Sequence, residues 1–153
     1  MIKSRLLPMD KILSQLDKSD RIAIIACNDC ARVSGVGGRE KAEEMEEKLR
    51  SEGYNVVSIC DLVVACNDAY FADANINPAA NTIIMLSCAS GERLARRLFK
   101  DKKVVTATEL ISGIIVSPST GRYKLVGAFT GKEDFEGKEY KYYTDTAFKD
   151  TKL

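Results

Sequence analysis

The hydrophobic positions of this chain fall into short apolar runs separated by charged, helix-patterned stretches. Arg21 to Cys27 (RIAIIAC), Tyr54 to Cys60 (YNVVSIC) and Thr82 to Cys88 (TIIMLSC) are mostly apolar and bounded by polar residues, the pattern of strands buried on both faces. Lys103 to Thr106 (KVVT) begins a fourth strand. Between the first two runs, Arg39 to Glu52 sets Ala42, Met45 and Leu49 on one face of an otherwise charged segment. Its acidic residues come early, Lys48 and Arg50 come late, and Gly53 follows as a stop, as a helix requires. Ser90 reads as the cap of a further helix from Gly91 to Lys100, with Leu94, Leu98 and Phe99 turned inward. A short helix capped by Asn67 or Asp68 runs to about Asn75, where Asn77-Pro78 ends it. Pro8 to Leu16 reads as an amphipathic helix with Ile12, Leu13 and Leu16 on its apolar side.

Strands alternating with helices predict an α/β fold: a mostly parallel, three-layer sheet of the flavodoxin or Rossmann type with right-handed crossovers. The tail has a different pattern. Ile114 to Val116 and Tyr123 to Phe129 flank SPSTGR, a turn sequence with Pro118 and Gly121, which predicts a C-terminal β-hairpin extension. One domain is expected over residues 1–153, its core at about 5–113 and the extension at about 114–153. An exposed strand edge in the tail from Tyr123 onward offers a route to homo-oligomers.

Charge and composition narrow the function classes. A net charge of +1 gives no global pull toward nucleic acid or an anionic membrane. The apolar runs are too short to span a bilayer, and Met1 to Leu7 has no apolar signal core, so the expected location is the cytoplasm. The chain has no histidine, which removes imidazole as a metal ligand, as a general base and as partner to a Ser or Cys nucleophile. The carboxylates sit on solvated helix faces, so no catalytic residue is expected. Arg93, Arg96 and Arg97 read as a solvated helix face.

The five cysteines carry the candidate chemistry, because a cysteine cluster in a reducing compartment points to metal or catalysis rather than disulfides. In an open α/β sheet, ligands collect outside the carboxyl ends of the strands. Cys27 ends the first strand, Cys30 begins the loop after it, Cys66 lies in the loop after the second, and Cys88 ends the third. These four thiols are therefore expected at one edge as the protein ligands of one metal site. Four thiolates suit either zinc or an iron–sulfur cluster. Cys60, at another apolar strand end, reads as a small buried hydrophobe. The rival for Cys27 and Cys30 is a redox pair, which gains acidity at a helix N-terminus; here a glycine-rich loop follows Cys30 and the helix pattern starts near Arg39. Ser34 to Gly38 (SGVGG) completes neither a dinucleotide nor a P-loop motif. Gly37 and Gly38 instead let the backbone pass close to the metal site, with amides placed to donate to cluster sulfides.

These residues resemble the methylenetetrahydrofolate reductase C-terminal domain family, the small cysteine-rich partner subunit of the acetogen-type enzyme. The resemblance is carried by CNDCARVSGVGG at Cys27 to Gly38, the acidic helix after it, the isolated Cys66, IIMLSCASG at Ile83 to Gly91, and the leading RLLPMDKILSQL. It implies a 4Fe–4S cluster on Cys27, Cys30, Cys66 and Cys88, and an accessory role beside a flavin-dependent reductase-type subunit in one-carbon metabolism. The chain departs from that family in having no cysteine after Cys88, where a second cysteine-rich segment is usual.

Overall fold

A computed structural model describes residues 1–72 and 74–141 of the chain. The apolar runs do form a parallel sheet: β2 (Arg21–Cys27), β3 (Asn55–Leu62), β4 (Thr82–Leu86) and β5 (Lys103–Thr106), in the order β3-β2-β4-β5. Ile22, Ile24 and Ile25 of β2 and Ile83, Ile84, Met85 and Leu86 of β4 are buried, which accounts for the unbroken apolar pattern of these inner strands. The helix α3 (Arg39–Ser51) lies on β2 and β3 through Ala42, Met45 and Leu49, all buried as their spacing requires. On the other side of the sheet order, α5 (Ala89–Leu98) packs on β4 and β5. Its inward face is Gly91 and Ala95, with Leu94 and Phe99 partly buried; Leu98, expected inside, is 42% exposed.

The expected single, mostly parallel three-layer sheet is incorrect. A second four-stranded sheet, wholly antiparallel, runs β1 (Ile2–Leu6), β6 (Thr108–Ser117), β7 (Arg122–Ala128), β8 (Glu139–Lys141). The expected hairpin is present as β6 and β7, but it is no appendage. Its first strand pairs with β1 from the far end of the chain, Arg5 standing opposite Glu109. Ile111, Ile114, Tyr123 and Leu125 give this sheet its own core, which also takes Val33 from the cysteine loop. The predicted extension beyond residue 141 lies outside the described residues.

Three smaller differences follow from local chemistry. Pro8 caps α1 (Met9–Leu13), shorter than expected, although Ile12 and Leu16 are buried. The segment after Cys66 forms α4 (Ala69–Ala72), with Asn67 accepting the Ala69 amide at 3.1 Å. Cys30 does not open an irregular loop but starts a one-turn helix, α2 (Cys30–Val33).

Candidate metal centre

From β2 the chain moves to β3 on one side of the sheet and then crosses to β4 on the other. The carboxyl ends of β2 and β4 are therefore neighbours whose connections diverge, leaving a crevice of the kind that open α/β sheets use for ligands. Cys27 is the last residue of β2. Cys88 does not end β4 as expected; the strand stops at Leu86 and Cys88 is the N-cap residue of α5. Both thiols are buried, and Cys30 is half-buried. The Cys88 thiol lies close enough for its charge to act on both Cys27 and Cys30. Cys27, Cys30 and Cys88 thus lie on neighbouring segments at the carboxyl ends of β2 and β4.

Cys66 arrives by a different route. Ala65, itself buried, donates its amide to the Cys27 sulfur at 3.4 Å, so the loop after β3 is anchored on Cys27 one residue before Cys66. The Cys66 side chain is exposed. Cys60 stays outside this group: it pairs with Ile25 inside the sheet, half-buried against the main core, with Asp61 and Arg39 as its charged neighbours.

Small residues make the crevice walls. The chain doubles back after α2, and Gly38 donates its amide to the Cys27 carbonyl at 3.1 Å while Gly37 donates to Ala31 at 3.0 Å. A Cβ on Gly37 would collide with the Cys27 carbonyl oxygen and stand 2.7 Å from the Ala31 Cβ. On the opposite wall, a Cβ on Gly91 would meet the Ser87 Oγ at 2.8 Å and the Ala65 Cβ at 3.0 Å. Gly37 therefore makes a close backbone approach, to the Cys27 carbonyl and Ala31. The expected donation from the Gly37 and Gly38 amides to sulfides is corrected, since both amides are engaged by protein carbonyls.

The second sheet buttresses both cysteine loops, through residues that no local sequence signal marks. Thr108, at the start of β6, donates its hydroxyl to the Ser87 carbonyl at 2.6 Å, next to Cys88. Ser34, directly after α2, accepts the Ser4 amide and donates to the Ile2 carbonyl, both at 3.1 Å. Lys3, buried in β1, donates to the Ser34 carbonyl at 2.9 Å and to the Tyr123 hydroxyl at 3.2 Å. These contacts bridge residues 21 to 120 positions apart in sequence, which is why spacing could not reveal them.

Burial holds the Cys27, Cys30 and Cys60 thiols above their ordinary range. At Cys27 the amides of Ala65, Asp29 and Ala31 oppose this, and at Cys30 the Ile2 amide does, while Asp29 and Cys88 push Cys30 further up. The Cys30 thiol also donates to the Asp29 carboxylate at 3.6 Å. Four thiols without a competing imidazole fit an all-sulfur metal centre by donor type. Among the described residues, no three Cys, Asp or Glu side chains are already gathered tightly enough to hold a metal ion. No protein-family model, curated protein or solved structure matches the chain. No helix among the described residues is long and apolar enough to cross a membrane.

Proposed function

We propose that this chain is a small iron–sulfur protein, an accessory module that passes or holds electrons for a larger enzyme rather than catalysing a reaction alone. Cys27, Cys30, Cys66 and Cys88 would hold the cluster, of the 4Fe–4S type. The observation that carries the reading is the position of Cys27, Cys30 and Cys88 on neighbouring segments at the carboxyl ends of β2 and β4, with Cys66 one residue beyond the amide that bonds Cys27. The choice of iron–sulfur over zinc rests on the resemblance of Cys27 to Gly38 and of Ile83 to Gly91 to the methylenetetrahydrofolate reductase C-terminal domain family. The same resemblance supports a cytoplasmic setting beside a flavin-dependent reductase-type subunit in one-carbon metabolism.

A bound cluster supplies one-electron redox chemistry. The chain's own residues set its surroundings. The apolar ends of β2 and β4 keep water from Cys27 and Cys88. The Ala65 amide, donating to the Cys27 sulfur, favours its thiolate form and withdraws electron density from it. The exposed Cys66 loop, with Val63 at 60% and Tyr70 at 40% exposure, is the side from which a redox partner approaches.

A thiol oxidoreductase built on Cys27 and Cys30 is the weaker reading. Its sequence-level objection falls, because α2 does begin at Cys30. A physical objection replaces it: burial raises both thiols, whereas a reactive redox pair needs at least one lowered. Purification without oxygen, followed by assay of iron, acid-labile sulfide and zinc with the visible spectrum, tests the proposal. Iron with matching sulfide and a broad brown absorbance supports it. Colourless protein carrying zinc, or metal-free protein with a titratable dithiol, overturns it.

A further inference from the structure

The three arginines of α5 share a helix, but the chain holds them differently. Arg96 is tied down: its guanidinium donates to the Glu92 carboxylate at 2.9 and 3.0 Å and to the Thr106 hydroxyl at 3.1 Å. Arg93 and Arg97 are exposed, and among the described residues neither has a hydrogen bond or an ion pair. Every other arginine has one; even Arg21, far from any carboxylate partner, donates to the Ala79 carbonyl. Lys100, just past the helix, is likewise exposed and without a partner among the described residues. The carboxylates of α5 and of the turn after it are already taken, Glu92 by Arg96 and Asp101 by Lys102.

Arg93 and Arg97 are four residues apart and so stand in one column of the helix. Leu94 and Leu98 make the adjacent column. Gly91 and Ala95 supply the inward face, which leaves Leu98 42% exposed. Two leucines beside two unpaired guanidiniums form an amphipathic strip. The strip also runs beside the segment that carries Cys66. A Cβ on Gly91 would stand 3.0 Å from the Ala65 Cβ near one end of α5, and the Phe71 and Phe99 rings meet edge-on at 5.8 Å at the other. A molecule seated on the strip therefore adjoins the loop after β3.

We propose that this strip docks an acidic amphipathic helix of a partner protein, which lays apolar side chains on Leu94 and Leu98 and carboxylates on Arg93, Arg97 and Lys100. The proposal rests on the accessory-module part of the reading above, which supplies a partner, and not on the metal. A planar guanidinium suits a carboxylate because it can donate two parallel N–H bonds to it. The leucines disfavour a nucleic acid, whose charged backbone offers them no apolar surface. A membrane is disfavoured as well. Two leucines on a helix held to the sheet bury too little to insert, and a net charge of +1 gives no general pull toward anionic lipid. A second copy is a poor match, because its acidic helix α3 already spends Glu40, Glu43 and Glu46 on Arg32, Arg39 and Arg50.

Fluorescence anisotropy tests the proposal, with the full chain titrated into a labelled helical peptide. The probe carries leucines at i and i+4 with glutamates in the flanking columns; its control has lysines in place of the glutamates. The chain is expected to bind the acidic probe and not the basic one, and added salt should weaken the binding. The Arg93→Gln/Arg97→Gln double variant is expected to bind the acidic probe about tenfold more weakly, with an unchanged melting temperature because both side chains are exposed. Leu98→Ser should weaken it several-fold. No binding of the acidic probe overturns the proposal, as does equal affinity in wild type and double variant. Tighter binding to phosphatidylserine vesicles or to duplex DNA than to the probe also overturns it, as does a wild-type dimer that the double variant loses. Metal content plays no part in the titration, so protein without iron and sulfide removes the iron–sulfur reading and leaves the docking result readable.

Discussion

At the scale of single residues, Gly37 and the buried thiols make the sharpest claims. The Gly37 backbone lies against the Cys27 carbonyl and Ala31, where a methyl group has no room and the obstructing atoms include backbone. Gly37→Ala is expected to destabilise the fold by about 1–3 kcal/mol through overpacking. It should also lower metal retention, because the strain is delivered at Cys27; thermal melts with and without metal measure both. The thiols make a pH claim. Cys27, Cys30 and Cys60 are raised above 9.0 in the folded protein, mainly by burial. A group raised on folding prefers the folded state while protonated. Its contribution is complete below the unfolded value and is lost as pH rises toward the folded value. Metal-free protein should therefore melt at a lower temperature near pH 10 than near pH 8, and a flat profile over that range contradicts the burial described here. Loading the proposed centre would drive protons off Cys27 and Cys30, so metal affinity should climb with pH and binding should acidify a weakly buffered solution.

At the scale of elements, the surprise is the tie between β1 and the cysteine loop. The pairing of β1 with β6 slips between Lys3 and Ser4, and the Ser4 amide is taken by the Ser34 hydroxyl instead of a strand carbonyl. Ser34 is fully buried and follows α2 directly. Ser34→Ala leaves the buried Ser4 amide without its acceptor and should cost about 1–3 kcal/mol. The same change frees the end of α2, so Cys30 should become more reactive to iodoacetamide in the metal-free variant than in wild type. Unchanged reactivity would mean that β1 does not position the loop. The opposite end of the parallel sheet is held electrostatically. Burial alone would raise Asp20, but Lys103, the Asp17 amide and Thr82 outweigh it and hold its carboxyl below 3.8. That contribution is present above the unfolded value and disappears as pH falls, so Asp20→Asn should flatten the acid limb of the stability profile.

At the scale of the whole molecule, the sequence exposed one half of the architecture and hid the other. RIAIIAC and TIIMLSC are legible because inner parallel strands are apolar on both faces. The helix α3 is legible because Ala42, Met45 and Leu49 recur at its period. By contrast, β1 (IKSRL) carries Lys3 and Ser4 at buried positions, and its partner Glu109 lies more than a hundred residues away. Likewise α2, at four residues, is far too short to show a period. The tail therefore reads as an appendage although it completes a sheet against the N-terminal strand. For the site, the strand pattern placed Cys27 at the end of β2, whereas Cys30 opens α2 and Cys88 caps α5. The bonds that hold these loops, from Ala65, Ser4 and Thr108, come from segments distant in sequence and had no local signature.

The central proposal is that Cys27, Cys30, Cys66 and Cys88 form an all-sulfur centre that takes iron and sulfide. X-ray absorption at the iron edge of the anaerobically loaded protein tests it most directly. The account predicts a first shell of sulfur alone, at about 2.3 Å as for other metal–thiolate bonds, with a second shell of iron scatterers. Nitrogen or oxygen in the first shell, or an absorbing metal with no metal neighbour, would contradict it.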